Sequence, residues 1–232
     1  MSSELSTPVA RREFLPGAIV IYADKVDGNP LRADHVVRYN LHVPGFHTGR
    51  ANYGRNELFF HYRDHFSAEP FGFGPSRGLY LPILLDDIFS GGPVGVREGR
   101  CYIVRKGKDR IDGYDLSDGV IVDGLSLTEV ASVFRTVEYC ISFDLDTMLS
   151  SYAALSGCKS VVIPEDGVTK EEWRPDAGLR LGLAYGFGEV EWAQETVPEL
   201  RAYLESQEAD NLEKVRVFAE TCLSRFGRAP DE

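Results

Sequence analysis

Tyr139-Cys-Ile-Ser-Phe143, Asp144-Leu-Asp-Thr147, Met148-Leu-Ser-Ser-Tyr-Ala-Ala-Leu-Ser-Gly-Cys158 and Lys159-Ser-Val-Val-Ile-Pro164 follow one another without a break. They read as strand, polar turn, helix, tight stop and strand. Short continuous apolar runs bounded by turn signals mark strands buried on both faces. Between the two runs, Leu145, Met148, Leu149, Tyr152 and Ala153 form an apolar stripe at helical spacing, with Thr147, Ser150, Ser151 and Ala154 opposite. Gly157 is suited to the helix stop. Two strands joined through a helix run parallel, so the stretch predicts an α/β domain with a mainly parallel, Rossmann-like sheet. It also sets the positive end of a helix beside the carboxyl ends of strands, where such folds hold anions.

The same alternation extends outward. Cys101-Tyr-Ile-Val104 and Gly119-Val-Ile-Val122 are strand runs, and Ser126-Leu-Thr-Glu129 is a capping box ahead of a helix with Leu127, Val130, Ala131 and Phe134 on one face. Downstream, a helical region begins near Glu189, and Thr196-Val-Pro-Glu199 restarts it as a second capping box. A last helix spans Asn211 to Phe226, with Leu212, Val215, Phe218, Ala219, Cys222 and Phe226 on one side. The N-terminal part is less regular. Residues 17–23 read as a strand, Asp27-Gly-Asn-Pro30 as a turn, and Ala33, Val36, Val37, Asn40 and Leu41 as helical spacing that ends at Pro44-Gly45. Glu57 to His61 and Leu79 to Leu85 are strand candidates around an aromatic, glycine-rich loop. Residues 1–16 read as a loose leader, and Ser90-Gly-Gly-Pro-Val-Gly95 as a linker. The linker divides a smaller α/β part, residues 1–95, from a Rossmann-like part with C-terminal helices, residues 96–232.

The formal net charge of −11 over 232 residues argues against general affinity for nucleic acid or an anionic membrane, so any phosphate binding must be local. No run approaches the apolar length of a membrane span, although peripheral association with a membrane stays open. Cys101, Cys140, Cys158 and Cys222 are scattered without a C-x-x-C pair and read as buried thiols of a cytoplasmic protein. His61 and His65 stand four apart, but the strand-like run before them makes a zinc helix a poor reading, and no metal or cofactor is expected. Dinucleotide, P-loop, nucleophile-elbow and H-E-x-x-H motifs are absent from the sequence.

Two segments carry the chemistry. Arg97, Arg100, Arg105, Lys106, Lys108 and Arg110 crowd into one stretch of an otherwise acidic chain. Arg105-Lys-Gly107 follows a strand end, where lysine is a point charge for phosphate, arginine a fork, and glycine permits close backbone approach. Asp146-Thr147, with Ser150 and Ser151 one turn on, could supply hydroxyls and amides to the same anion. Each has a plain structural reading, a solvated basic turn and a helix cap. Their convergence at strand ends favours a phosphate pocket. Gly28-Asn-Pro30 also follows a strand end and could face a second substrate. Arg38 is more readily explained by a carboxylate partner.

With these motifs in view, the chain resembles GT-B-like glycosyltransferases of bacterial polysaccharide and lipopolysaccharide core synthesis, the WavQ-like group. The resemblance rests on Gly28-Asn-Pro-Leu31, Val36-Val-Arg38, Pro44-Gly45, Cys101 to Gly107, Asp144-Leu-Asp-Thr147, Ala153-Ala-Leu155 with Gly157-Cys158, Glu172-Trp173 and Ala184-Tyr-Gly186. It implies a nucleotide-sugar donor whose phosphates meet Lys106 and Thr147, with Ser150 and Ser151 near, and a glycan acceptor facing Gly28–Pro30. It also implies sugar transfer at the anomeric carbon without a required metal. The part ahead of the linker is short for a GT-B N-terminal domain, which implies either a shortened relative or one compact domain with a cap. Asp24, Asp27 and Glu57 are candidates for a general base, and none stands out. The competing expectation is a non-catalytic binding or scaffold subunit that keeps the Rossmann-like core.

Overall fold

The computed structural model describes residues 16–227 apart from 90, 91 and 93. The leader reading and much of the 90–95 linker therefore lie outside the described residues. In order the chain forms β1 (Ile19–Ala23), β2 (His35–Asn40), β3 (Leu58–His61), β4 (Ser76–Gly78), α1 (Asp86–Phe89), β5 (Arg100–Ile103), β6 (Val120–Ile121), α2 (Leu127–Thr136), β7 (Tyr139–Ser142), α3 (Met148–Leu155), β8 (Lys159–Val162), α4 (Lys170–Trp173), β9 (Ala184–Tyr185), α5 (Val190–Glu195), α6 (Val197–Ala209) and α7 (Asn211–Phe226). It divides into two compact units. Unit 1 runs to Pro82 and resumes at Ala209, and unit 2 is Ile83–Glu208.

Unit 1 holds a four-stranded sheet in the order β1-β2-β3-β4, parallel throughout. One face is apolar: Val37, Phe60 and Leu79 pack with Cys222, Phe218 and Phe226 of α7. That face explains why the division differs from one at residue 95. An apolar sheet face must be covered, and the last helix of the chain supplies the cover. Residues 83–89 belong instead to unit 2, where Phe89 stacks on Tyr152 at 4.5 Å. The segment read as helical over residues 33–41 is strand β2. Both faces of a parallel strand are buried, so Val36 and Val37, with the buried Arg38 after them, imitate a helical stripe over so short a run. The fourth strand is Ser76–Gly78 rather than Leu79–Leu85, where Pro82 lacks the N–H a ladder needs.

Unit 2 is the α/β domain anticipated from the central stretch. Its sheet runs β6-β5-β7-β8-β9, again parallel at every pairing. Cys101, Ile103 and Cys140 point to a core shared with Val130, Ala131 and Phe134 of α2 and Tyr152 and Ala153 of α3. The alternate residues Tyr102, Ile141 and Phe143 build a second core on the other face. Complete burial of Phe134 alone contributes about 2–3 kcal/mol. Ser126 and Glu129 form the expected capping box. Thr169 and Glu172 form another at α4. Thr196 does other work at the end of α5, where its hydroxyl accepts from Gly182 N–H at 3.0 Å and bonds the Trp192 and Ala193 carbonyls at 3.1 Å.

Candidate functional site

The carboxyl ends of β5, β7 and β8 meet around Phe143–Thr147. Each of four successive carbonyls there is taken by a side chain from a different direction. The Arg110 guanidinium donates to Phe143 O at 2.6 Å and Ser142 Oγ to Asp144 O at 2.7 Å. Trp173 Nε1 and Arg174 donate to Leu145 O at 3.1 and 3.2 Å. Lys106 Nζ donates to Asp146 O. The turn is thus locked by its carbonyl edge, and Thr147 closes it by accepting the Leu149 N–H into its hydroxyl at 3.2 Å, as the N-cap of α3.

Lys106 reaches this turn because Gly107 lies directly on Phe143. A Cβ on Gly107 would come within 2.1 Å of the Phe143 carbonyl oxygen. The glycine is required by the approach of one strand end to another, rather than by approach to a ligand as its position suggested. On the far side, Asp123 Oδ2 accepts the amides of Val104 at 2.6 Å and Arg105 at 3.2 Å, fixing the start of the same turn. Arg105 itself is exposed at the rim.

Lys106 Nζ also stands 3.4 Å from Asp144 Oδ1, and its side chain is 15% exposed. Burial pushes the Asp144 carboxyl above its ordinary 3.8, against the lowering pull of the Lys106 ammonium. The Asp144 carboxylate also accepts the Asp146 N–H at 2.9 Å. An ammonium with three protons, a helix start and an exposed arginine therefore adjoin at one sheet edge. That arrangement can stabilise an anion, with Asp144 as the negative group that Lys106 must offset.

Other residues expected here are used differently. Ser150 and Ser151 are buried, Ser150 completely, and the Ser150 carbonyl accepts Ser160 Oγ of β8 at 2.9 Å. Small residues let α3 lie close against the sheet, and the Ser150 hydroxyl is enclosed there. The basic cluster also divides. Arg97 serves the carbonyls of Phe134, Val137 and Ser156, at the C-terminal ends of α2 and α3. Arg100 pairs with Asp118 at 3.3 Å.

In unit 1, Gly28 takes a left-handed φ of 64° at the turn. Asn29 Oδ1 accepts from Tyr22 OH at 3.0 Å and Ala33 N–H at 2.9 Å, and its Nδ2 donates to Ala33 O at 2.8 Å. Pro30 follows in the same turn, exposed. Arg38 is fully buried, paired with Glu57 Oε2 at 2.6 Å, donating to Val26 O and Gly28 O, and lying over Tyr22 and Tyr53. The groups of Asn29 and Arg38 are spent on shaping the turn.

Arg110, Ser142, Asp144 and Trp173 hold the site; Arg110 stood in the basic cluster, Asp144 in the turn motif and Trp173 in the Glu172-Trp173 pair, but none of the four was assigned a place in the site from the sequence. The signals were the position of Asp144 directly after an apolar strand run and that of Arg110 within the basic cluster. All four cysteines are free and buried, and burial pushes the Cys158 thiol up to about 12. Among the described residues, no group of three or more His, Cys, Asp or Glu side chains is placed to hold a metal ion, and no helix is long and apolar enough to cross a membrane. No protein-family model, curated protein or solved structure matches the chain.

Proposed function

We propose that the edge of unit 2 formed by Lys106, Asp146 and Thr147 receives the diphosphate of a nucleotide-activated sugar, and that the chain transfers that sugar to a polysaccharide or lipopolysaccharide acceptor. The observation that supports this reading is the bond from Lys106 to the Asp146 carbonyl, one residue before the Thr147 N-cap of α3: residues forty positions apart meet at the carboxyl ends of parallel strands. An anion there gains from the ammonium, the first-turn amides and the helix dipole together.

In the reaction, the acceptor hydroxyl oxygen attacks the anomeric carbon while the bond from that carbon to the diphosphate oxygen breaks. The bonding pair leaves with the diphosphate, and the hydroxyl proton passes to a base. Negative charge grows on the departing oxygen, so Lys106 is worth more in the transition state than in the bound donor, which is the condition for catalysis. The base is not assigned.

A second reading, a non-catalytic binding or scaffold subunit, is favoured by the pairing of Lys106 with Asp144 and the Asp146 carbonyl, which leaves the amine only partly available. Calorimetric titration with UDP-, GDP-, ADP- and CMP-linked sugars tests the transferase reading. Saturable binding of one class is expected, and a folded sample that binds none overturns it. Donor hydrolysis or transfer that disappears in Lys106→Ala separates enzyme from scaffold.

A further inference from the structure

Unit 2 holds a second recess, at the edge of its sheet opposite Lys106 and Thr147. Tyr139 and Lys159 are the first residues of β7 and β8 and pair in register, so their side chains leave the same face of the sheet. Helix α5 covers part of that face, where Val190 and Tyr139 pack against Val161, Ala184 and Ala193. Between the strand starts and the helix lies an open cavity of about 540 Å³, whose lining includes Tyr139, Lys159, Phe187, Val190, Glu191 and Gln194. Small-ligand sites span about 300–1,000 Å³.

The polar groups of this cavity differ in how far they are engaged. Lys159 Nζ stands 2.6 Å from Glu138 Oε1 and 5.1 Å from the centre of the Tyr139 ring. An ammonium has three donors, and Glu138 takes one. Glu191 and Gln194 are three apart on one side of α5 and exposed, and neither side chain has a hydrogen bond or ion pair among the described residues. The neighbouring acid Glu189 is engaged by Lys170 at 2.8 Å. The Tyr139 and Phe187 rings stand 6.3 Å apart with their planes tilted by 52°, which makes a corner rather than a stack, and Phe187 is 54% exposed.

A ligand here meets both signs of charge. A purely anionic one faces the unpaired Glu191 carboxylate, and a purely cationic one faces the Lys159 ammonium. A zwitterion answers both: its carboxylate accepts from the remaining Lys159 protons, and its ammonium donates to Glu191 and to the Gln194 carbonyl. Val190 and the exposed Phe187 ring then offer apolar surface to a side chain drawn out of water.

We infer that this cavity binds a free α-amino acid with a large apolar or aromatic side chain. Its carboxylate meets Lys159, its ammonium meets Glu191 and Gln194, and its side chain enters the Tyr139–Phe187 corner. The site stands independently of the diphosphate reading at the other edge of the sheet.

The test is calorimetric titration of the full chain, without nucleotide, with phenylalanine, leucine and tryptophan. Two analogues of phenylalanine separate its charges: phenethylamine lacks the carboxylate and 3-phenylpropionate lacks the ammonium. One of the amino acids is expected to bind saturably, and each analogue at least about ten-fold more weakly than phenylalanine. Glu191→Gln should weaken phenylalanine about ten-fold and leave 3-phenylpropionate unchanged, whereas Lys159→Met should weaken phenylalanine and leave phenethylamine unchanged. The comparison of analogues needs no variant, so poor folding of either variant leaves the proposal testable. Absence of saturable binding by all three amino acids overturns it. Equal affinity for phenylalanine and either analogue, or unchanged phenylalanine affinity in folded Glu191→Gln, overturns it as well. Because no nucleotide is present, such a failure leaves the diphosphate reading to its own titration.

Discussion

Lys106 Nζ donates to the backbone carbonyl of Asp146 while standing 3.4 Å from the Asp144 carboxylate, so one ammonium ties a basic turn to the start of a helix. Two of its roles can be separated by substitution. Lys106→Ala removes both the charge and the tie, and we expect affinity for a nucleoside diphosphate to fall about 10–100-fold, the range for a lost charge-assisted contact. Lys106→Arg keeps the charge but not the compact ammonium that fits between Asp144 and Asp146, and recovery should be partial. Calorimetry with the best nucleotide from the panel reads both. Unchanged affinity in Lys106→Ala removes this residue from the site.

Gly107 is the contact that permits this arrangement. Its φ of −108° is open to any residue, so the restriction is steric and not conformational. Gly107→Ala would drive a methyl into the Phe143 backbone, and a destabilisation of about 2–3 kcal/mol is expected. The same displacement would carry Lys106 away from Asp146. Denaturant unfolding measures the first effect and nucleotide titration the second. A stable Gly107→Ala protein would show that the two strand ends can separate at little cost.

These two residues also mark how far the sequence could be read. Strands β5, β7 and β8, helix α3 and the Ser126 box were legible because each signal is local: a short apolar run, a stripe, a hydroxyl three residues before a carboxylate. β2 was misread for the same reason, since a strand buried on both faces and a short helix show similar spacing. The amphipathic face of α7 was visible, but nothing in it names the β1–β4 sheet as its partner, because that contact spans most of the chain. Within the site, the general placement of ligands at strand ends led to the expectation that Lys106 and Thr147 face one anion; the contact Lys106 makes is with the Asp146 carbonyl, one residue before Thr147. The grip of Arg110, Trp173 and Arg174 on the Phe143–Asp146 turn depends on long-range geometry, so the sequence showed Arg110 only as one of a basic cluster and not which carbonyl it takes. Ser150 and Ser151 are buried, which the sequence did not show, because a serine that faces ligand and one that lets a helix approach a sheet look alike in sequence.

Arg38 and Glu57 give a prediction for unit 1. The guanidinium is fully buried, and the carboxylate side chain is 9% exposed. Removing one charge leaves the other stranded, which costs about 3–5 kcal/mol. Glu57→Gln should therefore destabilise far more than an exposed change such as Glu213→Gln, whose partner Arg216 lies in solvent. Thermal or chemical unfolding of the two variants decides this. Similar small losses in both would mean that Val26 O, Gly28 O and the Tyr22 and Tyr53 rings suffice to hold Arg38.

Asp144 makes the stability of the site depend on pH in a definite direction. Its carboxyl is raised in the folded protein by burial, with Lys106 opposing, whereas the unfolded chain titrates near 3.8. Between those two values the folded state holds a proton that the unfolded state has released. The contribution of Asp144 is therefore fully present below 3.8 and is lost as pH rises through the higher folded value. Asp144→Asn lacks this titration but still offers an oxygen to the Asp146 N–H. The stability of the variant relative to wild type should increase as pH rises from below 3.8 through that window, and level off above it. Paired denaturant titrations at several pH values measure the difference directly. A variant that instead loses ground over the same range would mean that Lys106 outweighs burial and holds Asp144 ionised.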